Sequence, residues 1–285
     1  MQLYQLDRGW HEALGDLIRD AKESVLVAAP FVSQTGCEFV LDRLSAEMRA
    51  RGRISLVTDL SPAHVCDGSL EPAALRSLYD AVPSAGLWHV PRLHAKVYVA
   101  DSSHAIVTSG NLTAGGLFRN LEFGVGILDQ RHVQGILSTF DLYRATGVGV
   151  SRDQLVKFEV EAARVRSAFQ SQQGSVSQDA TSAFRQILQE AEDDLLRLRL
   201  AGGAVHAVFG RSIAYLLERN GPMPTIEIHR LIQELHPDLC DDAVDRVIDG
   251  QSFGKKWKHA VRTAQQVLKQ KGAVSYKDGL WSSIP

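Results

Sequence analysis

The chain has 285 residues, of which 45% are hydrophobic and 22% are charged. These values are typical of soluble domains, so they exclude a collagen, a coiled-coil rod and a fully disordered chain. Lysine and arginine number 31 against 33 aspartate and glutamate residues, so any surface for nucleic acid has to be local. The three cysteines, Cys37, Cys66 and Cys240, are too few and too widely spaced to predict a disulfide framework or a zinc site.

The sequence predicts neither a membrane segment nor a secretion signal. Its longest apolar stretches, such as residues 24–32, are much shorter than the ~20 residues that cross a bilayer. The first ten residues lack the basic and then apolar layout of a signal peptide. We therefore expect a cytoplasmic protein without membrane contact.

Residues 1–150 alternate between helical and strand patterns, which predicts an α/β domain with a mixed or parallel sheet. Helices are predicted where apolar residues recur at helical spacing, over residues 7–21, 39–50 and 75–82. Short runs of aliphatic residues predict buried strands over residues 24–29, 54–58 and 86–90.

From about Arg152 the pattern becomes helical. Residues 155–169 and 183–200 predict two helices, and the Gln- and Ser-rich residues 170–181 between them predict a linker. The last eighty residues predict three helices followed by a β-hairpin. We therefore expect three parts: a domain at 1–150, a helical connector at 151–205 with its linker near 170–181, and a terminal domain at 206–285.

One segment of the first domain carries polar residues at strand spacing. Residues 93–100 alternate so that His94, Lys96 and Tyr98 share one face. A turn at residues 101–103 and a second run at 105–108 predict a hairpin that brings Ser109 and Asn111 beside that face.

A further strand, predicted at residues 121–128, adds a carboxylate to this group of residues. Glu122 shares a face of that strand with Gly124 and Gly126, which leave room for a ligand. A neutral imidazole can attack phosphorus, and an ammonium and an amide can stabilise the charge on its oxygens. A carboxylate can orient the imidazole, as the triad aspartate does. No metal or cofactor is needed for this chemistry.

The spacing His94-x-Lys96-x4-Asp101-x6-Thr108-Ser109-x-Asn111 resembles the HxKx4Dx6GSxN signature of the phospholipase D superfamily. The one departure is Thr108, where the family has glycine. The resemblance covers roughly residues 1–150. It implies the phospholipase D fold, a mixed sheet flanked by helices, with His94, Lys96, Asn111 and Glu122 as catalytic residues and Asp101 and Ser109 in support.

The motif occurs once, because none of the nine other histidines is followed two residues later by lysine. The family mechanism uses two motifs, so a chain with one resembles the members that share a site across a homodimer. The resemblance then implies that His94 of one subunit becomes a phosphohistidine and His94 of the other acts as general acid.

The terminal region resembles the winged-helix modules of bacterial restriction and defence nucleases. Its predicted helices cover residues 211–219, 226–235 and 257–271, with Thr225 as the cap of the second, and a hairpin follows around Lys277. Residues 255–277 contain seven basic residues and no acidic one, which favours contact with phosphates. The predicted DNA-binding residues are Lys255, Lys256, Lys258, Arg262 and Lys277. Contact with protein and mere solubility are the alternatives for this charge.

The sequence therefore predicts a metal-independent phosphodiesterase, foremost a DNA endonuclease of restriction or phage-defence type that acts as a homodimer. RNA stays open as a substrate because the chemistry does not involve the sugar. A lipid phosphodiesterase or phosphatidyltransferase and a silent DNA-binding regulator are the alternatives. A helicase or methyltransferase partner is not readable from one chain.

Overall fold

The computed structural model describes residues 2–7, 9–173, 178–200, 204–248 and 251–284. The chain divides into two compact units. The first comprises Met1–Arg144 and Gly149–Leu195, and the second comprises Ala145–Val148 and Leu196–Pro285.

The first unit is organised around a mixed eight-stranded sheet. Its strands are β1 (Leu3–Leu6), β2 (Ser24–Ala28), β3 (Arg53–Thr58), β4 (Ser84–His89), β5 (Val97–Ala100), β6 (His104–Thr108), β7 (Gly124–Ile127) and β8 (Val148–Val150). Their order in the sheet is β1-β7-β6-β5-β2-β3-β4-β8. Strands β2, β3 and β4 pair in parallel, whereas β5 runs antiparallel to β2 and continues into the antiparallel hairpin β5–β6.

The helices of this part of the chain are α1 (Trp10–Asp20), α2 (Gln34–Leu41), α3 (Ala46–Arg51), α4 (Pro62–Cys66), α5 (Pro72–Tyr79), α6 (Gln130–Thr146), α7 (Arg152–Gln173) and α8 (Gln178–Leu200). Helices cover both faces of the sheet, and α7 packs on α4 and α5. On one face Trp10 of α1 packs against Tyr98 of β5. On the other, Val97 and Val99 pack in one buried cluster with Val133 and Phe140 of α6. The mixed α/β architecture predicted from the sequence is confirmed.

The predicted helix over residues 39–50 is wrong, because two helices occupy this region. The first ends at Leu41, and Ser45 begins the second as its N-cap, its hydroxyl accepting the N–H of Met48 at 3.1 Å. The edge strand β1 was not predicted. It is attached by Tyr4, which lies flat on Gly126 and whose hydroxyl is 2.7 Å from His104 Nε2.

The segment predicted as a linker, residues 170–181, is helical wherever it is described. α7 continues to Gln173 and α8 begins at Gln178, while residues 174–177 lie outside the described residues. The rings of Phe169 and Phe184 lie 5.5 Å apart, so the two helices contact each other near the connection. A polar composition is therefore compatible with helix on both sides of residues 174–177.

The second unit contains three helices, α9 (Val205–Asn220), α10 (Thr225–Leu235) and α11 (Lys256–Gln270). Its strands are β9 (Met223–Pro224), β10 (Asp245–Ile248), β11 (Gln251–Lys255), β12 (Val274–Lys277) and β13 (Leu280–Ser283). β12, β13 and β9 form one antiparallel sheet, and β10 pairs with β11. The hairpin β10–β11 was not predicted.

The predicted cap of the second terminal helix is wrong. Pro224 occupies the N-cap position of α10, and Thr225 is its first residue. The Thr225 hydroxyl instead accepts a hydrogen bond from Trp281 Nε1 at 2.9 Å, which ties α10 to strand β13. The winged-helix assignment of this unit stays a prediction.

Candidate active site

His94 and Lys96 lie in the segment between β4 and β5, just before the first residue of β5. The His94 side chain is exposed, whereas Lys96 is only 8% exposed. The Lys96 Nζ atom lies 3.2 Å from His94 Nε2 and donates to the His94 backbone oxygen at 3.0 Å. The ammonium is therefore held directly against the imidazole.

The electrostatic setting of Lys96 connects it with Glu122. Burial lowers the pKa of Lys96, because desolvation penalises the charged ammonium. The negative charge of Glu122 acts in the opposite direction and raises that pKa. The two residues, 26 positions apart in the sequence, therefore lie close enough for their charges to interact.

Glu122 is fixed in place by two neighbouring side chains. Ser109 Oγ donates to one carboxylate oxygen and Asn120 Nδ2 donates to the other at 3.1 Å. Ser109 in turn accepts the backbone N–H of Phe123 at 3.1 Å. Glu122 lies just before β7, since the strand begins at Gly124 rather than at residue 121. Asn120 was missed, since an exposed amide outside the motif gives no signal in one sequence.

Asn111 carries a buried polar atom without a partner. Among the described residues, no group bonds to its Oδ1 atom, although most buried polar atoms in proteins are paired. The chain passes close to it at Gly116, where a Cβ would lie 2.4 Å from the Asn111 backbone oxygen. This oxygen is an acceptor, so only a group that donates a hydrogen bond would satisfy it.

Thr108, the departure from the signature, has a defined role in the turn after β6. Its hydroxyl accepts the N–H of Gly110 at 3.1 Å and donates to the Phe123 backbone oxygen at 3.2 Å. Both bonds fix the chain on either side of Ser109. A threonine here thus supports the turn by side-chain bonds that a glycine could not make.

Asp101 lies at the other end of β5 and is not part of this cluster. Its carboxylate accepts the backbone N–H groups of Lys22, Glu23 and Ser24 at 2.7 to 2.8 Å. The four residues of β5, at ~3.3 Å each, lie between it and Lys96. Asp101 therefore ties the β5–β6 turn to the chain at the start of β2.

The loop that carries His94 is held by a buried carboxylate, Asp59, which sequence reasoning missed. Asp59 is 6% exposed, and its Oδ2 atom accepts the N–H of Arg92 at 2.9 Å. Arg92 has a φ of 63°, a left-handed conformation that needs such support. Burial raises the pKa of Asp59, and the bond from Arg92 acts against that rise. His89 Nδ1, 3.7 Å from the carboxylate, accepts the N–H of Leu60.

Exposed apolar side chains lie immediately beside this cluster in the chain. Leu121 and Phe123, on either side of Glu122, are 86% and 57% exposed, and Phe118 is 46% exposed. Large apolar residues at such exposure commonly mark a contact surface.

The predicted DNA-binding residues lie in the second unit, on and around α11. Lys256 and Arg262 are exposed, and the Lys258 ammonium lies 5.3 Å from the centre of the Trp257 ring. Lys255 differs from them, because its ammonium pairs with Asp245 at 2.8 Å. This pairing raises the pKa of Lys255 and lowers that of Asp245. Lys277 is exposed at the end of β12.

Two further observations concern the described part of the chain. No group of three or more His, Cys, Asp or Glu side chains there has an arrangement suited to a metal ion. None of its helices is both long enough and apolar enough to cross a membrane.

Residues 14–143 match the family described as "Cardiolipin synthase, PLD-like domain". They form a phospholipase D-like domain. The matched region contains the whole cluster around His94, and the phospholipase D-like fold expected from the signature is confirmed. The domain therefore has the fold of a superfamily of phosphodiesterases.

Solved structures similar to this chain include Nuc, NucT and a phosphatidylserine synthase. The phospholipase D family member Nuc from Salmonella typhimurium shares 18% identity at a TM-score of 0.43, covering 52% of this chain and 97% of its own. NucT from Helicobacter pylori shares 16% at 0.41, covering 52% and 98%. Phosphatidylserine synthase from Haemophilus influenzae shares 13% at 0.41, covering 58% and 46%. No curated protein sequence matches the chain.

Proposed function

We propose that this protein is a metal-independent phosphodiesterase that cleaves DNA as a homodimer. The observation that carries the proposal is the cluster in which Lys96 Nζ contacts the His94 ring, with Glu122 fixed nearby by Ser109. These groups supply a nucleophile and positive charge without a metal, and Glu122 adds a negative charge that acts on Lys96.

In the proposed first step, a ring nitrogen of His94 attacks the phosphorus. An N–P bond forms, the P–O bond to the leaving sugar oxygen breaks, and that oxygen takes a proton from His94 of the second subunit. Lys96 and Asn111 stabilise the charge on the non-bridging oxygens. Water then attacks the phosphorus, the N–P bond breaks, and the proton of the water returns to the second histidine.

The dimer follows from the number of histidines that this scheme requires. Each chain has one motif and thus one His94, whereas attack and protonation need two imidazoles in opposite protonation states. The exposed residues Leu121 and Phe123 beside Glu122 support an apolar contact between subunits there.

The substrate assignment depends on the second unit. Three helices and an antiparallel hairpin fit a winged helix, and α11 would then be the helix that meets the duplex. Lys256, Lys258 and Arg262 are available for phosphates there, whereas Lys255 is engaged by Asp245. We extend the proposal to restriction or phage defence as the biological role.

The test compares supercoiled plasmid, linear DNA, RNA and phospholipid vesicles, each with and without EDTA. We expect cleavage of DNA that survives chelation, with nicked plasmid appearing before linear product. Activity that disappears with EDTA and returns with Mg²⁺ would contradict the mechanism. Cleavage of phospholipid alone would support phosphodiesterase activity but contradict DNA as the substrate.

A further inference from the structure

A cavity of about 360 Å³ lies under α6, at the end of the sheet away from His94. Ser24 and Arg53 begin the parallel strands β2 and β3, and Ser102 follows the antiparallel strand β5, so all three meet at this end. Leu137 and Arg144 of α6 close the other side. The volume is within the range of ~300–1,000 Å³ typical of small-molecule sites.

Two arginines and one aspartate among the lining residues give the cavity a net positive charge. The Arg53 guanidinium is exposed and has no hydrogen bond or ion pair with any of the described residues. Arg144 is held in place, since it donates to Ser55 Oγ at 3.2 Å and pairs with Asp141. Asp141 is the acidic residue of the lining. One cation is therefore free to bind a ligand and the other is oriented in advance.

Hydroxyl groups add polar contacts at the same end. Ser24 and Ser102 line the cavity, and their hydroxyls have no hydrogen-bond partner within the described ranges. Ser102 adopts a φ of 59° and Asp101 a φ of 51°, conformations that cost energy in residues other than glycine. The three backbone bonds to the Asp101 carboxylate hold this turn in place.

The aromatic residue of the lining is not free to stack on a ligand. Trp88 lies flat over Gly86, where a Cβ would be 2.4 Å from the ring. Its ring also contacts Arg144, whose guanidinium carbon is 4.7 Å from the ring centre. Recognition in this cavity therefore depends on cations and hydroxyls, the groups that bind phosphate oxygens.

We propose that this cavity is a binding site for a small phosphate-bearing ligand. Arg53 and Arg144 bind the phosphate oxygens, and Ser24 and Ser102 donate further hydrogen bonds. The apolar residues Val25, Leu26, Val99 and Leu137 line the rest of the cavity. The phosphate belongs either to inorganic phosphate or to a mononucleotide, since both present the same group. The site is separate from His94.

The test is calorimetric titration of the full chain with inorganic phosphate, thymidine 5′-monophosphate and thymidine. We expect both phosphates to bind and thymidine not to bind. Arg53→Gln should weaken binding at least about tenfold, because a charged hydrogen-bonding partner is removed. The indole N–H signal of Trp88 in NMR spectra, assigned with Trp88→Phe, should shift in the wild type on phosphate addition.

The matched control is Arg51→Gln, which removes an equally exposed arginine two residues earlier that pairs with Glu47 outside the cavity. It should leave the affinity unchanged. The proposal would be overturned by no binding, by equal losses in both variants, or by binding of thymidine as tight as that of its phosphate. It would also be overturned by binding that Lys96→Gln abolishes and Arg53→Gln spares, since that places the phosphate at the active site. Tighter binding of the nucleotide than of inorganic phosphate would identify a mononucleotide as the ligand. Equal binding of the two would identify the phosphate group alone as the ligand.

Discussion

The phospholipase D-like domain and the second unit both carry the residues expected to act on a nucleic acid, but they differ in how those residues are held. Around His94, the end of a sheet brings together side chains from residues 94–122 and fixes them by bonds such as Ser109–Glu122. On α11 the cations project from one helix, and Lys255 is neutralised by Asp245. The fixed geometry around His94 thus supports a proposal about catalysis. The run of positive charge on α11 supports only a proposal about binding affinity.

The largest expected effect separates these two regions. His94→Ala should lower turnover of both plasmid DNA and a nitrophenyl phosphodiester by at least about 10³-fold, as loss of a catalytic nucleophile does. Folding, followed by circular dichroism, and DNA binding should change little, because the His94 side chain is exposed. A variant that keeps a tenth of the wild-type rate would show that His94 is not the nucleophile.

A smaller effect is expected for the groups that stabilise charge. Lys96→Ala and Asn111→Ala should each lower kcat by roughly 10²–10³, the usual loss for one such donor. Steady-state rates on the nitrophenyl ester measure this without a contribution from the second unit. A change confined to KM would mean that these residues bind the substrate without stabilising the transition state.

Loss of the buried Asp59 carboxylate should lower kcat about tenfold, because a slightly misplaced nucleophile reacts more slowly. Asp59→Ala should lower kcat and raise hydrogen exchange in residues 91–96. Asp59→Asn should restore most of both, since its amide oxygen still accepts the Arg92 N–H. Asp129→Ala, which removes a similar bond to the His132 backbone, serves as the control. Unchanged hydrogen exchange of residues 91–96 in Asp59→Ala would show that Asp59 does not hold this loop in place.

In the second unit we expect an effect on affinity and none on chemistry. Replacing Lys256, Lys258 and Arg262 with glutamine should reduce the slope of log K against log salt by about 0.9 for each phosphate that the helix no longer neutralises. Lys255→Gln should change the slope less, because Asp245 already pairs with that ammonium. Titrations at several salt concentrations measure the slopes. An unaltered slope in the triple variant would place the DNA-binding surface elsewhere.

The smallest effect is a shift in pH dependence. Lys96 acts while charged, so activity should fall as the pH rises through its pKa, which burial lowers. Glu122 raises that pKa, so Glu122→Gln should move the alkaline limb of kcat to lower pH. Asn120→Ala removes one hydrogen bond to Glu122 but keeps the Glu122 charge. The alkaline limb of kcat in this variant should therefore stay at the wild-type pH. A limb that moves equally in both variants would exclude the charge of Glu122 as the cause.

The sequence placed the motif residues better than it predicted the segments around them. Lys96, Ser109 and Asn111 flank the hairpin β5–β6, whose turn and strands follow from local pattern, so their position at one end of that hairpin was predictable. Their roles stay predictions. Asp59 and Asn120 act through single bonds across the fold, and one sequence holds no trace of such pairs. The break at Ser45 and the strand β1 also depend on one cap and on one contact with Gly126. Local periodicity does not encode either of them.

The central claim is that His94 forms a covalent bond to phosphorus. The most direct test is the stereochemical course of cleavage of a chiral phosphorothioate diester in ¹⁸O-labelled water with EDTA present. Two successive in-line displacements, first by His94 and then by water, predict retention of configuration at phosphorus. Inversion would mean that water attacks in a single step, and it would contradict the phosphohistidine mechanism.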